Sequence, residues 1–186
     1  MRPVKVENKQ LIEGLFKVFR EKGYEGASLN ELAEKAGLKK ASLYHRFPEG
    51  KKQIGMAVLL HSSEWLHTNL YQLLADKNIA ATERLEMALS RISELYNQGK
   101  ETCILRSLSM ESGMQIFGEE IKGEMNRWIK YFAQLGLDFG FTEEEALKKG
   151  KESLVKVQGS LIVANAMSDT DIFVSSLAEI RELFDK

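Results

Sequence analysis

The chain is poor in residues that staple or interrupt a backbone. Its one cysteine, Cys103, excludes an internal disulfide framework and suits a reducing compartment. Two prolines, Pro3 and Pro48, leave nearly all of the 186 residues free to be helical. No segment reaches about 18 consecutive apolar residues, so no membrane span is expected. Met1 to Val6 lacks the apolar run of a signal peptide, and a cytoplasmic location is expected. The three histidines, His45, His61 and His67, have no partner at metal-ligand spacing, so no metal is expected. Neither G-x-S-x-G, a Gly-rich phosphate loop nor a dinucleotide fingerprint occurs. The acidic runs Glu119-Glu120 and Glu143-Glu144-Glu145 are expected at helix starts, where they complement the dipole. Neither an enzyme nor a cofactor is expected.

What is present is helical periodicity, from one end to the other. Leu11, Leu15 and Phe19 form a stripe on a first helix over 4–22, closed by Gly23. Ser28 with Glu31 makes a capping box, S-x-x-E, for a short second helix. Its apolar face is Leu29, Leu32, Ala33 and Ala36, and Gly37 stops it. Ala33 and Gly37 are small where two crossing helices would approach closely. A third short helix runs from Lys40 to Phe47, with Leu43 and Phe47 inward. That is the outline of a helix-turn-helix.

Lys39, Lys40, Ser42, Tyr44, His45 and Arg46 lie outward on the third helix and include no acid. Such a helix can enter a major groove and reach bases and phosphates. Charge is distributed to match. Residues 1–55 carry 12 Lys+Arg against 7 Asp+Glu, a net of +5, whereas the other 131 carry 14 against 20, a net of −6. The whole-chain value of −1 hides a basic segment centred on the helix-turn-helix, and double-stranded DNA is the partner it suits. On the first helix, Arg2 and Lys5 are the minor candidates for a further phosphate contact.

Further helices are expected from Lys51 to about Ala75, Thr82 to Gln98, Thr102 to Ser112, Glu119 to about Gly136, Glu143 to Met167 and a last one ending near Phe184. Gly113 to Gly118 reads as a joint, Thr142 with Glu145 as a second capping box, and Asp169 or Thr170 as the last cap. No alternating strand pattern competes. The fold class is all-α, with about nine helices.

Two helices differ from an ordinary surface helix. From Leu154 to Met167 apolar residues occur on nearly every side, and Phe173, Leu177, Ile180 and Phe184 form a 4-3-4 seam. A helix apolar all round is buried all round, which in a chain this size implies a second subunit. Leu154, Leu161, Ile162, Phe173, Leu177 and Ile180 are the candidate interface of a homodimer built on a four-helix bundle. The other reading is that both helices fill the monomer core.

The A-x-x-A-G core and LYHRF ending between Leu29 and Phe47 closely resemble the DNA-binding domain of TetR-type transcriptional regulators. The FPEGK spelling that follows resembles the LmrA/YxaF-like branch. The likeness is specific over roughly residues 8–60. It implies an N-terminal three-helix DNA-binding domain, 1–50, and a larger helical ligand-binding and dimerisation domain, 51–186. It implies DNA contacts from Ser28, Lys39, Lys40, Ala41, Ser42, Tyr44, His45 and Lys51, the last to a phosphate. Two positions depart from the pattern. Lys39 stands where a capping Ser or Thr is common, which leaves the cap in question, and Ala41 stands where a Gly is common. The likeness also implies a pocket for a small hydrophobic or aromatic effector. Trp65, Cys103, Met110, Met114, Met125, Trp128, Phe132 and Gln158 are the candidate lining.

The expected function is a dimeric repressor released from a palindromic operator by such a ligand. The alternatives are a regulator of the same build that activates or ignores ligands, and a ligand-binding dimer without DNA binding.

Overall fold

The structure, a computed structural model, describes residues 8–185. Arg2, Lys5 and the expected start of the first helix lie outside the described residues. The described residues form nine helices and no strand. They are α1 Asn8–Gly26, α2 Leu29–Lys35, α3 Lys40–Arg46 and α4, which begins as Lys51–Leu66. Helix α4 continues through a π-helical turn, His67–Tyr71, into Gln72–Ala75. Then follow α5 Ala81–Leu95, a 3₁₀ turn Asn97–Gly99, α6 Ile104–Ser109, α7 Gly113–Asp138, α8 Glu143–Met167 and α9 Asp171–Leu183.

The chain divides into two compact units, Met1–Ser63 with Ile104–Ile121, and Glu64–Cys103 with Lys122–Lys186. In the first, the expected stripe Leu11, Leu15 and Phe19 is buried, and Leu32, Ala33, Leu43, Ile54 and Val58 join it. The close approach of α1 to α2 is made at Gly14. A Cβ on Gly14 would stand 2.1 Å from the Lys35 carbonyl oxygen. Gly37 instead supplies conformation, at φ 67. There Leu38 N–H donates to the Ala33 carbonyl and Gly37 N–H to the Glu34 carbonyl, the two bonds of a Schellman motif. At Gly23 the backbone leaves the helical region (φ 69), so the regular part of α1 ends where the sequence places it.

The joint expected at Gly113–Gly118 is helical, the first turns of α7. Gly113 is small for another reason: a Cβ there would lie 2.0 Å from the Leu108 carbonyl oxygen. Glu119 and Glu120 therefore sit inside α7 rather than at its start. Glu143, Glu144 and Glu145 do open α8, under the capping box of Thr142 with Glu145. At the last helix Asp169 acts as the cap, accepting from Asp171 N–H at 3.0 Å, and Thr170 makes no side-chain cap bond.

In the second unit α9 packs on α8 and α5. Phe173, Leu177 and Ile180 are buried there, as is Leu161. In the single chain these four side chains, expected at the dimer seam, are packed inside this unit. Helix α8 has a second apolar side. Val155 is 69% exposed, Ile162 45% and Met167 65%, and Val174 of α9 is likewise exposed. Leu154 is half-buried between the two sides. A Cβ added to Gly159, in the same stripe as Val155 and Ile162, would meet no atom within 4 Å.

Candidate nucleic-acid interface

The helix-turn-helix begins at the capping box that the sequence marks. Glu31 N–H donates to Ser28 Oγ at 3.2 Å, and Ser28 N–H returns to Glu31 Oε2 at 3.2 Å. The Lys22 ammonium pairs with the same carboxylate. Lys22 first, then the Ser28 hydroxyl and N–H, hold the Glu31 carboxyl down at about 2. Ser28 is thus occupied as the cap of α2, with its side chain still exposed to solvent.

Helix α3 turns one residue inward. Leu43 is buried, whereas Lys39, Lys40, Ala41, Ser42, Tyr44 and His45 are exposed. That places six of the eight candidate DNA contacts on one free surface, with no acidic residue among them. Lys39 stands at the N-cap position and makes no side-chain cap bond. The first N–H groups of α3 are left to solvent or to an incoming anion. Tyr44 reaches back towards Gly50, where φ is 66 and a Cβ would sit 3.8 Å from its ring.

Gly50 leads directly into Lys51, the first residue of α4. Lys51 is half-buried. Its ammonium donates to the Glu25 carbonyl at 3.3 Å and lies 4.6 Å from the centroid of the Tyr24 ring. Burial, then the Glu25 carboxylate, push the Tyr24 phenol up, so the ring stays neutral at physiological pH. The resemblance that marks Lys51 carries no hint of Tyr24. An aromatic one residue past Gly23, where the regular part of α1 ends, was the available signal.

The candidate ligand residues divide between the two units. Trp128 and Phe132 are buried and stack at 5.2 Å in the second unit, and Trp128 Nε1 donates to Ser153 Oγ at 3.2 Å. Cys103 is buried; Trp65, Met125 and Gln158 are half-buried. Met110 and Met114 belong to the first unit and are about half exposed (54% and 48%). The second unit also holds a buried carboxylate the sequence reading missed. Glu124 accepts from the Tyr71 hydroxyl at 2.6 Å and from Arg127 Nη2 at 2.6 Å, while Tyr71 stacks on Tyr131 at 4.6 Å. Its signal was a lone Glu on the apolar face of α7, four residues before Trp128.

A short capped helix, a Schellman turn and an exposed, acid-free basic helix define a helix-turn-helix DNA-binding module. Residues 11–57 match the model of the bacterial regulatory proteins, tetR family. The chain is 26% identical to the HTH-type transcriptional regulator LmrA of Bacillus subtilis, over 91% of this chain and 86% of that one. It is 21% identical to the uncharacterized HTH-type regulator YxaF of the same organism, over 82% of each. The fold matches the TetR family regulator CifR in complex with 26-bp double-strand operator DNA, at a TM-score of 0.76 and 18% identity, covering 98% of each chain. It also matches the regulator FadR of Bacillus subtilis in complex with stearoyl-CoA, at 0.66 and 18%, covering 96% of this chain and 97% of that one. Residues 11–57 thus carry the DNA-binding module of tetR-family regulatory proteins, and the whole chain is similar to LmrA and YxaF. The matched module and the regulators that the chain resembles over most of their length are those of DNA-binding transcription regulation. Among the described residues, no helix is long and apolar enough to cross a membrane.

Proposed function

We propose that the protein is a cytoplasmic, dimeric repressor that leaves a palindromic operator when a small hydrophobic or aromatic ligand binds. The observation that carries this reading is the outer face of α3. Lys39, Lys40, Ser42, Tyr44 and His45 stand exposed there beside Ala41, with no carboxylate to repel phosphate. Residues 1–50 serve DNA, and 51–186 serve the ligand and the dimer. Lys51 contributes a phosphate contact at the start of α4, and base edges fall to Tyr44 and His45.

The apolar outer sides of α8 and α9 support a dimer. Val155, Ile162, Val163, Met167 and Val174 are exposed in the single chain, and a partner copy would cover them. A two-fold pair of α3 helices reads two half-sites about 34–36 Å apart. The stacked Trp128 and Phe132, together with FadR's stearoyl-CoA, support an apolar effector. An effector that binds the DNA-incompetent state better lowers operator affinity, and by reciprocity operator DNA weakens effector binding by the same factor.

Selection of duplexes from a random pool by the purified protein tests the reading. Lys51→Ala is expected to weaken binding to the selected operator and to unrelated DNA alike, with the salt slope shallower by about one. Tyr44→Ala and His45→Ala are expected to lose about 1–3 kcal/mol on the selected operator only, relaxing sequence preference. No enriched duplex, or parental binding by all three variants, means that α3 does not read DNA.

A further inference from the structure

The groups that hold Lys51 come from the far end of α1, not from α4. Glu25 supplies a carbonyl at 3.3 Å and Tyr24 a ring face at 4.6 Å, both in the turn that follows the break at Gly23. A carbonyl at a helix C-terminus and the face of an aromatic ring both carry partial negative charge. The ammonium is therefore attracted from two sides. It has three N–H donors, and one carbonyl with one ring leaves capacity for a phosphate oxygen. A lysine restrained in this way meets the phosphate with less side-chain freedom left to lose.

The ring is itself fixed by the segment 104–121 of the same compact unit. Phe117 meets Tyr24 edge to face at 5.2 Å, and Phe19 lies parallel to it at 6.2 Å. Phe117 is seated over Gly55, where a Cβ would come within 2.6 Å of its ring. Two serines grip the same stretch of α1. Ser107 Oγ donates to the Arg20 carbonyl at 2.9 Å, and Ser112 Oγ donates to the Glu25 carboxylate. Neither partner of Lys51 can move without disturbing a contact to the segment 104–121.

We propose that Tyr24 is a positioning residue for operator binding, acting through Lys51 by offering its ring face to the ammonium. This rests on Lys51 contacting a phosphate, as proposed above. Tyr24 touches no DNA in this assignment. Its effect is indifferent to base sequence and passes entirely through one lysine.

The test replaces Tyr24 by phenylalanine and then by phenylalanines with successive ring fluorines, which preserve shape and drain charge from the ring face. Each is made with Lys51 present and with Lys51→Ala, in the full chain. Binding to a selected operator and to an unrelated duplex is followed by fluorescence anisotropy across a salt series. Tyr24→Phe is expected to bind like the parent. Affinity is expected to fall stepwise with fluorination, about three- to tenfold in all, equally on both duplexes. In the Lys51→Ala background the series is expected to be flat. A flat or rising series with Lys51 present overturns the proposal, and so does an equal fall in both backgrounds, which would mean packing alone. Should Lys51→Ala leave affinity and salt slope untouched, the phosphate contact itself fails and Tyr24 falls with it.

Discussion

Glu31 shows how much one side chain can be asked to do. It closes the capping box with Ser28 and binds Lys22 across from α1, tying the start of the helix-turn-helix to the helix that braces it. These contacts hold its carboxyl at about 2 against an ordinary 4.5. A carboxyl depressed on folding stabilises the native state fully above its unfolded value, and that contribution disappears as pH falls through the folded one. Glu31→Gln is thus expected to lower the melting temperature at neutral pH. The difference from the parent should shrink as pH falls from 4.5 towards 2 and disappear below about 2. Paired melts across that range check it, and a gap that stays at its neutral-pH size as far as pH 2 would show that the charge is not what matters. Both Glu31 and Lys22 are open to solvent, so high salt should narrow the neutral-pH gap too.

At the scale of elements, backbone proximity rather than side-chain chemistry sets the geometry of the head. Helices α1 and α2 touch through Gly14, where any Cβ would lie 2.1 Å from the Lys35 carbonyl oxygen and 3.1 Å from the Ala36 nitrogen. Two effects compete in Gly14→Ala. Alanine favours a helix interior by about 1 kcal/mol over glycine. Against that, a clash with backbone cannot be relieved by a rotamer change, and overpacking costs about 1–3 kcal/mol. The clash is expected to win, with a lower denaturation midpoint and weaker operator binding. A midpoint equal to or above the parent's would mean that α1 and α2 part easily. Gly150 on α8 repeats the device, its absent Cβ leaving room for the Ile129 carbonyl oxygen at 2.4 Å. The sequence pattern that singles out Ala33 and Gly37 for a helix crossing gives no sign of Gly14, because the partner of Gly14 lies 21 positions away.

For the whole molecule, α8 carries two apolar faces with different fates. Val157, Leu161 and Ala164 are buried in the chain, whereas Val155, Ile162 and Met167 are exposed. A glutamate at Val155 or Ile162 leaves the single chain's core untouched but would strand a charge in the proposed dimer. Burial of an unpaired charge costs at least about 2 kcal/mol, roughly thirtyfold in dissociation constant. Val155→Glu and Ile162→Glu are therefore expected to sediment as folded monomers with parental circular dichroism. Leu161→Glu, by contrast, should lose the fold as well. Unchanged dimers from both exposed-site variants would move the interface elsewhere, and a monomeric parent would remove it. Monomers should also lose operator affinity steeply, since each then holds one half-site alone.

Much of this protein was determined by its sequence alone. The helical class, the capping boxes at Ser28 and Thr142, the stop at Gly37 and the exposed basic face of α3 depend on contacts within a few residues, and local spacing records those directly. LYHRF and FPEGK lie within the stretch that matches the tetR-family model, and that likeness was legible for the same reason, as the motif is contiguous. Tertiary structure decided the remainder. Helical spacing showed that α8 and α9 are rich in apolar residues, but only packing assigns Leu161, Phe173, Leu177 and Ile180 to the chain's own core and leaves Val155 and Ile162 outside. The same holds for Met110 and Met114, which sit with the head because residues 104–121 fold there. Tyr24 and Lys51 are 27 positions apart, and Tyr24 and Phe117 are 93 apart. Periodicity carries no term for contacts of that range, since only the return of the chain upon itself brings those rings and that ammonium together.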